Sequence, residues 1–295
     1  MNEQVDFATM SDREKYLYDL QGFLIVRGFL TPEEIHSFDE ALSANPDKRS
    51  EFGSPGPQGK PFSGQSGPYS FWIDMIAWEQ PWCQPFRDLI AHRKLIPYLN
   101  TMMGRGWKID HGVEVLTMKE GCEGLTLHGH GNVDFNGSRH YVYQNGRMRC
   151  GLIVCQFYLS DVNDGDGGLC LVPGSHKANF PFPMDRGPRN FEEWETYKDV
   201  VYQPVLKAGD LIIFNEATTH GGLPWKSKTE RRCILHRYTP KYLHYDSGYY
   251  ATSQPEWISE LTDAQQAVLE PPYIYNRPLI EEDGKTVVRP RREGE

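Results

Sequence analysis

From Trp107 onward the chain is written in short apolar runs separated by Gly- and Asp-rich turns, and this texture limits the possible folds more than any other feature. Strand-like runs lie at residues 107–118, 148–159, 168–172, 210–214 and 233–238. Runs of this length, punctuated by turn residues, predict a β-sandwich or barrel in place of alternating βαβ units. Upstream the texture is helical. A β-branched and aromatic run at 21–30 leads into Thr31, Pro32 and Glu34, which together form a capping box with proline at the first helical position. Ile35, Phe38 and Leu42 then recur at helical spacing, and Leu30 with Ile35 can staple the entry. A second helical region carries Phe86, Leu89 and Ile90, then Leu95, Leu99 and Met103 after a break near Pro97, and stops at Gly104.

The expected architecture is mainly β with flanking helices. A double-stranded β-helix (a jelly-roll, cupin-like core) forms one domain over 1–295. Within it, 1–106 supply N-terminal helical support and a loop, 107–245 the jelly-roll core, and 246–295 a C-terminal extension. Residues 53–68, rich in Gly, Pro and Ser, form no regular element and suit either a cover over a pocket or a plain surface excursion. No internal repeat or heptad is visible.

Composition excludes several function classes. A net charge of -9 argues against a nucleic-acid partner, because phosphate binding needs a basic face. The basic cluster Arg289, Arg291 and Arg292 is diluted by Glu293 and Glu295 and suits a solvated tail. No stretch approaches the roughly 18 apolar residues of a membrane span, and residues 1–10 lack the apolar core of a signal peptide. The six cysteines contain no CxxC pair. Cys150, Cys155, Cys170 and Cys233 sit in strand-like runs as small hydrophobes, which fits a reducing cytoplasm.

Chemistry is carried by histidines far apart in sequence. A metal enzyme on a β-scaffold draws ligands from distant strands, typically two histidines and a carboxylate on one face, leaving the other face open. His128 follows an apolar run and precedes Gly129; His220 ends the run DLIIFNEATTH and precedes Gly221 and Gly222. Each alone suits a satisfied polar residue at a strand end, whereas two glycine-flanked histidines favour a metal site. Arg231 follows His220 by eleven residues. Its planar fork suits the carboxylate of an acidic co-substrate bound to the same metal. Arg231 and Arg232 are adjacent at a strand start, so they point to opposite faces. The spacing to His220 selects Arg231 as the inward residue and leaves Arg232 on the surface; the competing expectation is that both cap a turn against Glu230.

Four stretches in order, GFLIVRGFLTPEEI, DGDGGLCLVPGSHK, KAGDLIIF and THGGLPW followed by ERR, make the chain resemble the phytanoyl-CoA dioxygenase-like family over most of its length. The resemblance implies a jelly roll that binds iron(II) and 2-oxoglutarate and, with dioxygen, oxidises a small molecule, most often by hydroxylation. It implies His128 and His220 as metal ligands and Arg231 as the 2-oxoglutarate anchor. The turn PGSH at 173–176 is architectural in this comparison, so His176 is a turn residue. The family's aspartate two positions after the first histidine is replaced by His130. The third ligand is then His130 itself, a carboxylate from elsewhere (Glu216 or Asp134), or nothing, as in halogenase relatives with a small residue there. Glu216 would share a face with His220 if that strand continued. Two rivals remain open. One is a cupin whose metal is held by His128, His130, Asp134 and His176; the other is a non-catalytic binding protein. Substrate contacts are expected from 53–68, 131–147 and 179–198, which include Arg139, Tyr141, Tyr143, Arg147, Phe182 and Trp194 and suit a small anionic or amphipathic substrate.

Overall fold

A computed structural model describes residues 10–52, 69–110, 113–129, 137–180, 182, 195–245, 255–274 and 276–288. Two helices frame the start. Helix α1 (Asp12–Gln21) is capped by a Ser11–Glu14 box and ends at Gly22; strand β1 (Phe23–Val26) follows directly. Helix α2 (Pro32–Ala44) begins with the expected Thr31–Glu34 box, in which each residue's side chain serves the other's backbone N–H. The expected strand at 21–30 is shorter than its apolar run. At its far end the chain turns through residues 27–28, where Gly28 N–H donates to Asp210 and Arg27 pairs with the same carboxylate at 2.6 Å.

Strands β2 (Ser50–Phe52) and β3 (Tyr69–Ile73) precede helices α3 (Gln84–Ile90) and α4 (Ile96–Met103). The break between the helices falls at 91–95, and Pro97 sits in the first turn of α4, where its missing N–H costs nothing. The β-rich half contains β4 (Lys108–Ile109), β5 (Glu114–Met118), β6 (Leu125–His128), β7 (Tyr141–Gln144), β8 (Arg147–Cys150), β9 (Ile153–Tyr158), β10 (Gly168–Leu171), β11 (Leu211–Asn215), β12 (His220–Leu223) and β13 (Arg231–Thr239). Helix α5 (Asp263–Leu269) and the hairpin β14 (Leu279–Ile280) with β15 (Thr286–Val287) complete the described chain.

Two antiparallel sheets form the double-stranded β-helix. The larger runs β1-β11-β9-β13-β5-β3-β2, with β4 also paired to β13; the smaller runs β10-β12-β6. Strand β9 shows how the larger sheet serves two layers. Val154 and Tyr158 join an apolar cluster with Leu169 and Leu171 of the smaller sheet, while Ile153, Cys155 and Phe157 join the cluster built with the helices. A strand covered on both faces loses the apolar–polar alternation of a half-exposed one. The run LIIFN of β11 is accordingly buried throughout. The helix-side cluster extends from Met10 to Ile280 and so draws the N-terminal helices, the sheet and the C-terminal segment together. Among the described residues no helix is long and apolar enough to cross a membrane.

Two expected strands are split. The run at 148–159 breaks between β8 and β9 because Gly151 and Leu152 turn their N–H groups to the carbonyls of His140 and Ser138. The run at 107–118 breaks after β4, where buried Asp110 accepts from the Tyr245 N–H.

Candidate metal centre

The site begins with a turn. Strand β11 ends at Asn215, and the chain reverses to enter β12 at His220. A network of hydrogen bonds holds this reversal. Asn215 accepts from the N–H of Ala217 at 2.7 Å through its side chain and from the N–H of Thr218 at 2.8 Å through its carbonyl. The Asn215 amide donates to the His140 carbonyl, Glu216 N–H to the Leu152 carbonyl, and Thr219 N–H to Ser175 Oγ. The Thr218 hydroxyl donates to the Gly22 carbonyl. A turn held this way fixes the direction of Glu216 before any ligand arrives.

Across the smaller sheet His220 lies directly opposite His128, the last residue of β6. Their rings are 4.1 Å apart between centroids. Glu216 reaches both: its Oε1 is 3.8 Å from His128 Nε2, and its Oε2 is 3.8 Å from His220 Nε2. One ligand atom from each of the three residues falls within 4.8 Å of the others. Nitrogen and oxygen ligands bind a transition metal at about 2.0–2.2 Å, so modest inward rotation closes this trio on one ion.

The second ring nitrogen of His220 sets its tautomer. Nδ1–H donates to the Thr218 carbonyl at 2.7 Å, which leaves Nε2 with its lone pair toward Glu216. Burial pushes the His220 pKa well below the usual imidazole value, with His128 adding to the effect, so the ring is neutral and fit to ligate. Gly129 makes the close packing possible. Its φ is +113°, and a Cβ there would sit 2.5 Å from the Thr218 carbonyl oxygen. His128 is the open side of the group, with 42% of its side chain exposed, against 12% for Glu216.

Arg231 opens β13 and is buried between the sheets. Its Nη2 donates to Tyr158 Oη at 3.0 Å and to Gln156 Oε1 at 3.2 Å, Nη1 lies 3.4 Å from Met118 Sδ, and the guanidinium packs over the Tyr158 ring. Burial pushes the Tyr158 hydroxyl up to about 12, so it stays protonated beside the cation. The Arg231 side chain lies over Gly168, where a Cβ would come within 3.0 Å of Nε. Arg232 takes the other face, as expected, and pairs with Asp39 of α2 at 2.8 Å. Glu230 pairs with Arg49, so the alternative in which both arginines cap a turn against it is not the arrangement found.

His176 is placed as a turn residue. Its Nε2–H donates to the Asp19 carbonyl at 3.0 Å, its ring packs edge-on against Tyr141, and burial pushes its pKa down to about 4. It is not part of the His128, Glu216 and His220 group. His130 and Asp134 lie outside the described residues, as do Trp194, 53–68, all of 131–136 and most of 179–194. Phe182 packs with Tyr197 against the outer face of the smaller sheet, away from the metal trio.

The expected role for Glu216 rested on continuation of the His220 strand. The structure reaches the same juxtaposition by another route, since Glu216 belongs to the turn after β11. The Gln156 and Tyr158 partners of Arg231 were not anticipated. A signal was available: Gln156 is the one strongly polar residue in the buried run IVCQFY.

Residues 136–233 match the family described as phytanoyl-CoA dioxygenase. This is about a third of the chain; it contains Glu216, His220 and Arg231 and leaves His128 just outside. The family resemblance seen in the sequence therefore holds across this segment. Among curated proteins no sequence matches. Solved structures show the same fold. HygX from Streptomyces hygroscopicus, with nickel and 2-oxoglutarate bound, superposes with a TM-score of 0.64 at 23% identity, covering 79% of this chain and 88% of that one. The α-ketoglutarate-dependent epimerase SnoN from nogalamycin biosynthesis gives 0.55 at 19% identity, covering 81% and 86%. The carbocyclase SnoK of the same biosynthesis gives 0.53 at 17%, covering 85% and 91%.

Proposed function

We propose that this protein is an iron(II)/2-oxoglutarate-dependent oxygenase that uses dioxygen to oxidise a small molecule. His128, Glu216 and His220 hold the iron, and Arg231 holds the far carboxylate of 2-oxoglutarate. One observation carries the reading. Three ligand atoms converge at one end of the space between the sheets, and a buried guanidinium, held by Gln156 and Tyr158, stands at the other. An arginine in such a place is suited to a carboxylate that arrives as a ligand. The iron, when bound with 2-oxoglutarate, supplies oxygen activation coupled to decarboxylation of the co-substrate.

The chain's own residues do the rest. The Thr218 carbonyl holds the His220 tautomer, Glu216 balances the metal's charge, and the half-exposed side of His128 leaves an approach for substrate. Glu216 supplies the carboxylate that the sequence lacks two positions after His128, which favours oxygen transfer over the halogenase arrangement. The similar structures support the cofactor pair, since HygX is seen with iron and with nickel and 2-oxoglutarate, and SnoN with Fe3+, alpha ketoglutarate and nogalamycin RO. The six cysteines, free and buried, support a cytoplasmic setting.

Succinate release tests the reading. Purified protein given iron(II), 2-oxoglutarate and air should form succinate slowly without substrate, and Arg231→Ala should suppress it while iron stays bound. A cupin would bind metal and release no succinate, and a binding protein would do neither.

A further inference from the structure

The metal end of the inter-sheet space carries two more arginines. On β13 alternate residues face this space: Cys233 and Leu235 belong to its apolar cluster, and Arg237 is next in that series after Arg231. On β5 Met118 belongs to the same cluster and Leu116 packs against it, and Glu114 continues their face. Arg237 Nη1 donates to Glu114 Oε1 at 2.9 Å, with both side chains about three-quarters buried. Arg139 stands on the approach beside His128. Its Nη1 donates at 3.3 Å to the carbonyl of Gly129, and its buried Nε finds no hydrogen-bond partner among the described residues. Arg237 lies opposite Val154 of β9, which pairs in turn with Phe214 of β11, and the Phe214 ring packs on that of His220 at 4.7 Å between centroids.

We propose that Arg139 and Arg237 form a recognition pair at the mouth of the site, and that the substrate is a small organic anion whose carboxylate or phosphate they grip. This rests on the oxygenase reading above and adds its substrate class. Donors and acceptors decide the chemistry of the ligand. A guanidinium offers five N–H donors and no acceptor. Among the described residues Arg139 spends one on a long bond to a backbone carbonyl, and Arg237 spends one on Glu114. Two forks with N–H groups to spare, on a partly buried approach to a metal, suit a ligand group made only of acceptors. A carboxylate or phosphate meets that requirement bidentately, and an amine or an alcohol does not. Glu114 has a supporting part: it holds Arg237 extended along the sheet in place of folding toward solvent.

Calorimetry on the protein loaded with nickel(II) and 2-oxoglutarate tests this without turnover. The probes are phenyl phosphate, benzoate, benzylamine and benzyl alcohol, which share a ring and differ in their polar group. One or both anions should bind at least tenfold more tightly than the amine and the alcohol, and which anion binds better separates phosphate from carboxylate recognition. Arg139→Gln and Arg237→Gln should each weaken the preferred anion tenfold or more, leave benzyl alcohol unchanged, and leave nickel and 2-oxoglutarate affinities within about twofold. Arg139→Lys should recover part of the loss. Preference for benzylamine, abolished by Glu114→Gln, would overturn the proposal and make Glu114 the selecting group. Absence of anion binding, or an Arg139→Gln variant that loses nickel as strongly as anion, would also overturn it; the latter would show that Arg139 only props Gly129. A wild-type protein that takes up no nickel would instead defeat the metal-centre reading, and the nickel titration shows that separately.

Discussion

The two ends of the inter-sheet space are built in different ways. At the Arg231 end every contributor is a strand residue: Arg231 on β13, Gln156 and Tyr158 on β9, Met118 on β5 and Gly168 on β10. At the metal end His128 closes one strand and His220 opens another, and the group between them comes from a turn. The first end is enclosed and the second is open, since Arg231 is 2% exposed whereas the His128 side chain is 42% exposed. Such a division suits a site where one ligand is always the same and is held deep, while a second, variable ligand enters from the other side.

The largest effect that sharpens this contrast is at His220. His220→Ala should lower iron affinity by more than the about 10–100-fold that removal of a supporting group costs, with 2-oxoglutarate no longer retained on the protein. Equilibrium dialysis with iron(II) reads it, and retention of stoichiometric metal would break the assignment of that end.

Arg231→Ala should do the complementary thing. Losing a buried charge-assisted contact costs about 2–5 kcal/mol of co-substrate binding, with iron affinity nearly unchanged. Arg232→Ala, which removes a surface pair with Asp39, should cost at most about 1 kcal/mol of stability and nothing in 2-oxoglutarate affinity. Loss of 2-oxoglutarate binding in Arg232→Ala, with none in Arg231→Ala, would show that the wrong face was chosen.

His176 separates the metal end from its surroundings. Its folded-state pKa of about 4 lies below the unfolded value near 6.5. Between those values the unfolded chain binds the extra proton, so stability falls as pH is lowered through this window, by on the order of 3 kcal/mol in total. His176→Gln should flatten the slope of unfolding free energy against pH from 6.5 to 4, measured by urea titration, and leave iron binding intact. Loss of iron in this variant would favour the cupin arrangement.

Gly129→Ala tests how tightly the metal end is packed. Its positive φ and the 2.5 Å approach to the Thr218 carbonyl make any side chain a forced displacement, costing about 1–3 kcal/mol. The melting temperature should drop, and iron should weaken with it. The smallest effect belongs to the enclosed end: Tyr158→Phe removes one hydrogen bond to Arg231 and should weaken 2-oxoglutarate by about 0.5–1.5 kcal/mol.

The same contrast explains what could be seen in the sequence. Strand residues are readable because a strand alternates faces with a fixed period, so adjacency puts Arg231 and Arg232 on opposite faces and the spacing to His220 selects Arg231 as the inward one. The helix starts were equally legible, because a capping box is a local pattern. Glu216 was only one of several options because a turn's direction depends on partners distant in sequence: Gly22, His140, Leu152 and Ser175. The breaks within the expected strands at 107–118 and 148–159 were hidden for the same reason, as the carbonyls that terminate β8 come from Ser138 and His140. Both-face burial then removed the alternation by which β9 and β11 would have shown their inward sides.

The identity of the third ligand is the centre of the account. Iron(II) binding to Glu216→Ala and His130→Ala, measured side by side by anaerobic calorimetry on the full chain, tests it most directly. Glu216→Ala should lose iron by on the order of 100-fold or more, and His130→Ala should bind it as the wild type does. Iron lost from His130→Ala and kept by Glu216→Ala would contradict the account.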